Sequence, residues 1–212
     1  MFSTSEQHMI AASSIFYLGE IGLNDYSYAL SAGNGTVDAA ASLVPDIIAV
    51  IHSAVTAVIA AGARTVVVAG MIPIGCEPRM LALFPLGGAG DYYDPASGCI
   101  KKFNDLAELH NRKLQQMLRR AHPGAAIVRY ADLYGPVAAA VASPRFGRSP
   151  LAACCGSGGG PYNFNANFTG FCGTPGSTVC ADGPSASISW DGIHYTEATN
   201  RLFARAILLT RP

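Results

Sequence analysis

The sequence Thr65-Val66-Val67-Val68-Ala69-Gly70 is the clearest strand signal in the chain. An uninterrupted run of β-branched residues predicts a strand that is buried on both faces of a parallel sheet. On either side of it, residues 14–21 (Ser-Ile-Phe-Tyr-Leu-Gly-Glu-Ile) and residues 126–133 predict two further strands. We expect the strand at residues 14–21 to be buried and to end at a glycine-rich turn.

Residues 39–62, which precede the central strand, carry a long apolar run that predicts one helix, interrupted or restarted at Pro45. The length of this run would also suit a membrane span. Asp46 and His52 lie within it, however, and they favour an amphipathic or core helix. We therefore expect no integral membrane segment.

Residues 99–121, 136–142 and 196–210 predict the remaining helices, and residues 144–189 predict a long loop that is rich in Gly, Ser, Asn and Cys. Strands that alternate with helices indicate a doubly wound α/β layer structure with a parallel sheet. The sequence thus predicts a single α/β domain over residues 1–212, with three α/β/α layers. Long ordered loops in compact domains usually carry function.

The composition excludes several classes of protein. Half of the 212 residues are apolar, and 14 Lys and Arg balance 14 Asp and Glu. A nucleic-acid-binding protein would normally show a basic stripe, and none is present. The apolar content is also too high for a disordered chain, so the 23 Gly and 13 Pro indicate ordered loops.

Six cysteines indicate disulfide bonds and an oxidising compartment: Cys76, Cys99, Cys154, Cys155, Cys172 and Cys180. Cys172 and Cys180 are the nearest partners for the adjacent pair, but the pairing stays open. A zinc site is a weaker interpretation, because the chain has no Cys-x-x-Cys and His194 is the only nearby imidazole. We therefore expect no metal and no cofactor.

Two sequons favour secretion, at Asn34-Gly35-Thr36 and Asn167-Phe168-Thr169. Residues 1–8 lack the charged and apolar regions of a signal peptide. The cysteines and sequons therefore predict secretion while the first residues do not.

Gly22-Leu23-Asn24-Asp25 directly follows the first predicted strand. Binding sites in open α/β sheets form where the carboxyl ends of strands lead into loops. The amide of Asn24 could donate to developing negative charge, as an oxyanion-hole donor does. The alternative is ordinary turn chemistry, in which Asn and Asp side chains cap backbone amides.

Asp191 and His194 lie three residues apart just before the last helix, in Ser189-Trp190-Asp191-Gly192-Ile193-His194-Tyr195-Thr196-Glu197. A carboxylate at this spacing can hold one imidazole nitrogen, which leaves the other to take a proton from a hydroxyl. The alternative is a simple Asp-Gly turn before a helix. The other histidines stand in terminal or helical contexts that indicate structural or solvated roles: His8, His52, His110 and His122.

Several of these segments together resemble the plant GDSL esterase/lipase family of the SGNH hydrolases. Tyr17 to Tyr26 (Tyr-Leu-Gly-Glu-Ile-Gly-Leu-Asn-Asp-Tyr) is similar to its third block, and Trp190 to Glu197 is similar to its last. Val68 to Cys76 resembles its strand-to-loop segment. Cys154-Cys155-Gly156, followed by Tyr162-Asn163-Phe164-Asn165, resembles its cysteine loop. The blocks occur in the family's order from about residue 12 to residue 210.

The resemblance implies a flavodoxin-like fold and a secreted carboxylic-ester hydrolase with a Ser-His-Asp triad. It implies that His194 is the general base, that Asp191 orients it and that Asn24 is an oxyanion donor, with a weaker substrate contact at Gly22. It also implies lipid, glycan or other small-molecule esters as substrates, without a cofactor or a nucleic-acid partner.

The family's Gly-Asp-Ser nucleophile block has no counterpart in these residues, and no Gly-x-Ser-x-Gly elbow replaces it. We expect an amino-terminally truncated homologue in which the first strand, the nucleophile and the signal peptide are all missing. The strand at residues 14–21 would then have an unpaired apolar edge. The alternatives are a catalytically inactive homologue, a secreted ligand-binding protein or a truncated gene model.

Overall fold

A computed structural model describes residues 3–32, 35–85, 91–120, 126–147 and 149–209. The chain divides into two compact units. The first unit comprises residues 1–71, 106–133 and 206–212, and the second comprises residues 72–105 and 134–205. That both units belong to one domain stays a prediction.

The first unit contains a parallel sheet of three strands, β1 (Ile15–Leu18), β2 (Thr65–Ala69) and β3 (Ile127–Ala131). β2 lies in the centre and is buried, with Val66 and Val68 fully inaccessible. The β-branched run therefore forms the central strand, because both its edges and both its faces are covered.

The prediction of a buried strand at residues 14–21 is wrong. β1 pairs only with β2 among the described residues, so it is an edge strand. The exposed fractions of Ile15 and Tyr17 are 64% and 44%. The unpaired apolar edge expected for this strand is present, because no second strand pairs with β1 in the described part of the chain.

The first unit has one helix before β1, which is α1 (Thr4–Ser13). The other helices lie between its strands: α2 (Leu23–Ser31), α3 (Val37–Ser42), α4 (Val44–Ala60) and most of α6 (Lys101–Arg120). The predicted helix over residues 39–62 is divided in two at Leu43, and Pro45 lies in the first turn of α4. Proline fits there because the first helical N–H groups have no partner within the helix. One face of α4 is buried.

The segment Val37–Ala60, with a mean hydropathy of 2.0, is long and apolar enough to cross a membrane. Core helices meet the same test of length and composition. In this chain Ile47, Ile51 and Val55 recur at helical spacing and are buried in the first unit. This face supports the interpretation of α4 as a helix that packs on the core.

Two polar contacts lie in the core of the first unit. The hydroxyl of Tyr26 and Nδ1 of His110 share a buried hydrogen bond of 2.9 Å. Asn111 accepts the backbone N–H of Met71 at 2.6 Å and donates to its carbonyl oxygen at 2.9 Å. Met71 is fully buried, as expected for a hydrophobic residue at the end of a strand. Both contacts join α6 to segments that follow a strand.

The second unit contains α5 (Pro78–Leu83), α7 (Tyr134–Val141), the strand pair β4 (Cys155–Gly156) and β5 (Thr178–Val179), and most of α8 (Glu197–Leu209). The predicted loop at residues 144–189 is largely irregular, apart from β4, β5 and two short 3-10 turns. The predicted helices at 136–142 and 196–210 are present as α7 and α8. α1, α2 and α5 were not predicted.

Three disulfides cross-link the second unit: Cys76–Cys99, Cys154–Cys180 and Cys155–Cys172. They account for all six cysteines, which confirms the prediction of disulfides. The adjacent residues Cys154 and Cys155 bond to different partners and tie the irregular loop to itself at two points. Cross-links of this loop length commonly contribute about 3 kcal/mol each to stability.

Candidate active site

The segment Ser189–His194 forms a tight turn immediately before α8. An antiparallel bridge between Ser189 and Tyr195 closes the turn, and the N–H of Trp190 donates to the carbonyl of His194 at 2.8 Å. Thr196 then accepts the N–H of Thr199 at 3.3 Å, so its hydroxyl caps the first turn of α8. The start of the helix and the bridge therefore fix both ends of the turn.

Within this turn, the carboxylate of Asp191 makes three hydrogen bonds, two of them to His194 and one to Ile193. Oδ1 of Asp191 accepts the backbone N–H groups of Ile193 at 2.9 Å and of His194 at 2.7 Å. Oδ2 lies 2.7 Å from Nδ1 of the His194 ring. One carboxylate oxygen thus shapes the backbone while the other orients the imidazole. We refer to this pair as the dyad.

The dyad is open to solvent on the histidine side. The side chain of His194 is 74% exposed, whereas that of Asp191 is 23% exposed. Burial raises the pKa of Asp191, but hydrogen bonds from the backbone and ring of His194 and from the backbone of Ile193 outweigh it and lower the pKa overall. Asp191 is therefore a carboxylate at neutral pH, and its Oδ2 lies where it can accept a proton from Nδ1 of the His194 ring. A neutral imidazole with its proton on Nδ1 carries a lone pair on Nε2.

Gly192 takes a backbone conformation that requires glycine, with φ at 94°. Its N–H donates to Oγ of Ser189 at 2.9 Å, and the same hydroxyl donates to the carbonyl of His194 at 3.2 Å. The buried Ser189 thus braces the turn from inside. This role cannot be predicted from the sequence, because a serine two residues before an aspartate has no signal of its own.

The cysteine loop supports the segment that leads into the dyad. The N–H of Cys154 donates to the carbonyl of Ser189 at 3.0 Å, and the N–H of Cys155 donates to that of Trp190 at 2.6 Å. Both cysteines are buried and disulfide-bonded. The two cross-links therefore hold the backbone against which residues 189 and 190 are aligned.

Two further contacts reach Gly192 from other parts of the second unit. Its carbonyl accepts the N–H of Arg79, at the start of α5, at 3.1 Å. The ring of Phe164 lies where a side chain would begin, since an added Cβ would stand 2.4 Å from Cδ2 of that ring. The centre of the turn is thus enclosed by α5 and by the loop that follows β4.

Asn24 and Gly22, the other predicted site residues, belong to the first unit. Gly22 precedes α2 with φ at 106°, and an added Cβ would stand 2.8 Å from the side chain of Ile47. Asn24 is exposed in the first turn of α2, and its side chain has no hydrogen-bond partner among the described residues. Its amide is thus available as a donor at a helix amino terminus, where negative charge is favoured.

The remaining predicted positions are less informative about chemistry. Asn167 is exposed, whereas Asn34 and His122 lie outside the described residues. His8 and His52 are exposed and His110 is buried. In the described part of the chain, no group of three or more His, Cys, Asp or Glu side chains could hold a metal ion.

Comparison with known proteins identifies the family of the chain. The family model of GDSL-like Lipase/Acylhydrolase matches residues 10–207. The chain belongs to this family. The resemblance predicted from the sequence blocks is therefore confirmed, and the parallel sheet with its helices is consistent with the three-layer α/β/α fold of GDSL hydrolases.

Two GDSL esterase/lipases of Arabidopsis thaliana illustrate the similarity. One is 40% identical over 212 residues, which cover 97% of this chain and 51% of the relative. Another is 42% identical over 204 residues, which cover 93% of this chain and 53% of the relative. The chain thus spans about half the length of the curated relatives that it matches.

Proposed function

We propose that this chain carries the base half of a carboxylic-ester hydrolase site. The observation that supports this most strongly is the dyad, in which Asp191 lies 2.7 Å from Nδ1 of an exposed His194. In the proposed reaction of these residues alone, Nε2 of His194 takes a proton from an attacking water molecule, whose oxygen bonds to the carbonyl carbon of the ester. The bond from that carbon to the alcohol oxygen then breaks, and the imidazolium returns the proton to the leaving alcohol. Asp191 stabilises the imidazolium that forms in between.

In this proposal, Asn24 stabilises the negative charge on the substrate's carbonyl oxygen. Its exposed amide lies in the first turn of α2, where the helix dipole adds to the effect. Gly22 supports this role indirectly, because its left-handed backbone forms the turn from which α2 begins at Leu23. Removing one such donor typically slows acyl transfer by about 100-fold to 1,000-fold.

The sequence contains neither Gly-Asp-Ser nor Gly-x-Ser-x-Gly. We therefore assign to these residues the base and the oxyanion donor, and no nucleophilic serine. The proposed substrate class is a small-molecule ester, including esters of lipids and glycans. The dyad acts on the ester group that all of these substrates share.

The dyad can be tested directly by NMR on the purified chain with ¹⁵N-labelled histidine. We expect the ring nitrogens of His194 to show the tautomer with the proton on Nδ1, and a low-field proton resonance for the bond to Asp191. The variant H194Q should lose these signals, and H52Q should keep them because His52 is an exposed helical histidine. A proton on Nε2 in the wild type would refute the assignment of the base.

Hydrolysis of p-nitrophenyl acetate tests the chemistry. We expect slow turnover that is lost in H194Q, and no covalent adduct with a serine-directed phosphonate by intact-mass measurement. Stoichiometric phosphonylation at the rate of a complete serine hydrolase would contradict the proposal, because it would reveal a nucleophile within the chain.

A second candidate function is ligand binding without turnover. It is supported by the absence of a recognisable nucleophile motif and by two exposed phenylalanines, Phe168 and Phe171, in the second unit. Saturable binding of an ester that is not hydrolysed would favour this function. Turnover that depends on His194 would favour the first.

We also propose that the protein is secreted and glycosylated at Asn167. All six cysteines form disulfides, which persist in oxidising compartments, and Asn167 is exposed within its sequon. The test is expression through a eukaryotic secretory pathway, followed by treatment with a peptide N-glycosidase. We expect a mass decrease that the variant N167Q does not show, and an unmodified Asn167 would contradict the proposal.

A further inference from the structure

Three phenylalanines lie on the loop that follows β4, which we call the aromatic loop (residues 164–171). Phe164 is buried, whereas Phe168 and Phe171 are 49% and 46% exposed. The ring centroids of Phe164 and Phe168 are 5.8 Å apart, and those of Phe168 and Phe171 are 6.2 Å apart. The rings thus form a continuous series that runs from the interior of the second unit to its surface.

The buried end of this series touches the turn that carries the dyad. The ring of Phe164 occupies the space beside Gly192, where an added Cβ would lie 2.4 Å from Cδ2. Gly192 directly follows Asp191 and precedes the histidine by two residues. The side chain of Phe164 therefore lies between the exposed rings and the turn of the dyad, and all of these residues belong to the second unit.

The exposed end is held in a conformation that is unfavourable by itself. Phe168 has φ at 55°, a left-handed value that is uncommon for a bulky residue. The loop maintains it through the N–H of Phe168, which donates to the carbonyl of Asn165 at 3.0 Å, and through the Cys155–Cys172 disulfide. Strain of this kind tends to be retained where a side chain is presented to a ligand.

The chemistry of the surrounding sequence limits what such a surface can bind. Residues 149–181 contain no Asp, Glu, Lys, Arg or His. The neighbouring polar side chains Asn165 and Thr169 bond to each other, at 3.1 Å. A surface of exposed rings without charge favours an uncharged hydrocarbon group over an anion or a cation.

We propose that Phe168 and Phe171 bind the acyl chain of a neutral, monomeric ester beside the dyad. This inference rests on the proposed function, since the ester group would then reach His194 while its hydrocarbon chain lies along the aromatic loop. It names a substrate class with an extended apolar acyl group. Acetyl esters would not gain from this surface.

Binding can be measured without turnover, by fluorescence polarisation of a labelled decanoyl ester and of the matching hexanoyl ester, both below the concentration at which they aggregate. We expect the decanoyl probe to bind about tenfold more tightly than the hexanoyl probe, because partial burial of each added CH₂ contributes to affinity. The double variant F168S/F171S should remove this difference and weaken decanoyl binding by about tenfold.

The variant F168N separates binding from folding. Asparagine tolerates the left-handed backbone better than phenylalanine does, so the loop should keep its conformation while it loses the ring. We expect weaker decanoyl binding with an unchanged midpoint of unfolding. The control Y28S removes an exposed aromatic ring of the first unit, and it should leave binding unaffected.

Amide chemical-shift mapping with the decanoyl ester locates the site. Shifts at Gly170 and Gly173 that are absent in F168S/F171S support the proposal. The proposal would be overturned by equal affinity for both probes or by full decanoyl binding in F168N. It would also be overturned if the loop bound only to phospholipid vesicles or to a second copy of the chain. If the NMR signals of the dyad are absent while the decanoyl probe still binds at this loop, the proposed catalytic function fails and the acyl surface stands.

Discussion

Two histidines of this chain lie in opposite surroundings. His110 is only 1% exposed and shares a hydrogen bond with the buried Tyr26, and burial lowers its pKa to about 4. His194 is largely exposed, with a carboxylate 2.7 Å from one ring nitrogen. The first is therefore an uncharged part of the core, whereas the second combines an oriented ring with an accessible nitrogen. Solvent access and the partner, more than the residue type, decide whether a histidine can act as a base.

The largest effect on stability should come from removing His110, and removal of His194 is the matched comparison. We expect H110A to lower the free energy of unfolding by about 4 kcal/mol, because it leaves a cavity and an unpaired buried hydroxyl on Tyr26. H194A should change it by less than about 1 kcal/mol, since the ring is exposed. Urea denaturation of both variants at neutral pH measures the difference. Similar losses in the two variants would invalidate the contrast.

The pH dependence of stability should separate the two histidines as well. His110 is neutral in the folded state but titrates near its ordinary pKa of 6.5 when unfolded. Its contribution is therefore fully present above about pH 6.5 and is lost as the pH falls towards 4. The loss expected from this shift is about 3 kcal/mol.

H110Q is the matched variant for this measurement, because its amide can still pair with Tyr26 but does not titrate. Burial raises the pKa of Glu20, which therefore contributes in the opposite sense, so the difference between wild type and variant isolates His110. Unfolding midpoints at several pH values between 4 and 7 provide the data. An undiminished pH dependence in H110Q would assign it to other groups.

A smaller effect is expected from Ser189, which braces the turn of the dyad. S189A removes the hydroxyl that accepts the N–H of Gly192 and donates to the carbonyl of His194. We expect a loss of about 1–2 kcal/mol in stability and a weakened NMR signal of the bond between Asp191 and His194. S53A is the control, because Ser53 is an exposed residue of α4 whose hydroxyl donates to the carbonyl of Ala49 in the same helix. An intact dyad signal in S189A would show that the bridge with Tyr195 suffices.

The smallest change in stability should follow from D191N. The asparagine oxygen can still accept the N–H groups of Ile193 and His194, so we expect a loss below about 1 kcal/mol. The ring of His194 loses its carboxylate partner, and the fraction of the Nδ1–H tautomer should fall. The pKa of Asp191 is lowered in the folded state, so its carboxylate stabilises the fold at pH values above the usual pKa range of aspartate. This stabilisation is lost as the pH falls through the lowered pKa. D191N should therefore remove this small acid-dependent part of the free energy of unfolding. Histidine ¹⁵N shifts and acid unfolding curves test both expectations.

Local signals in the sequence were enough to predict most elements near the sheet. The β-branched run at residues 65–70 predicts β2, because β-branched residues favour strands and this strand is buried. Pro45 predicts the interruption between α3 and α4. α1 was missed although Ser3 and Glu6 form a capping box at its start. Only Ala11 of that helix is buried, so no apolar face reveals it.

The candidate site was predictable where its residues are close together in the sequence. Asp191 and His194 are three residues apart, and a turn alone brings them together. Ser189 acts only once the turn has closed around it. The pairing of His110 with Tyr26 joins residues 84 positions apart, which no local pattern shows.

The sequence by itself determined the central strand, the family blocks, the use of cysteine for disulfides and the spacing of the dyad, because each depends on residues close together in the chain. The tertiary structure decided how far the side chains of β1 are exposed, which cysteines pair, which histidine is buried and which phenylalanines reach solvent. These properties depend on contacts between segments that are distant in the sequence, and such contacts form and stabilise the protein only when the chain has folded.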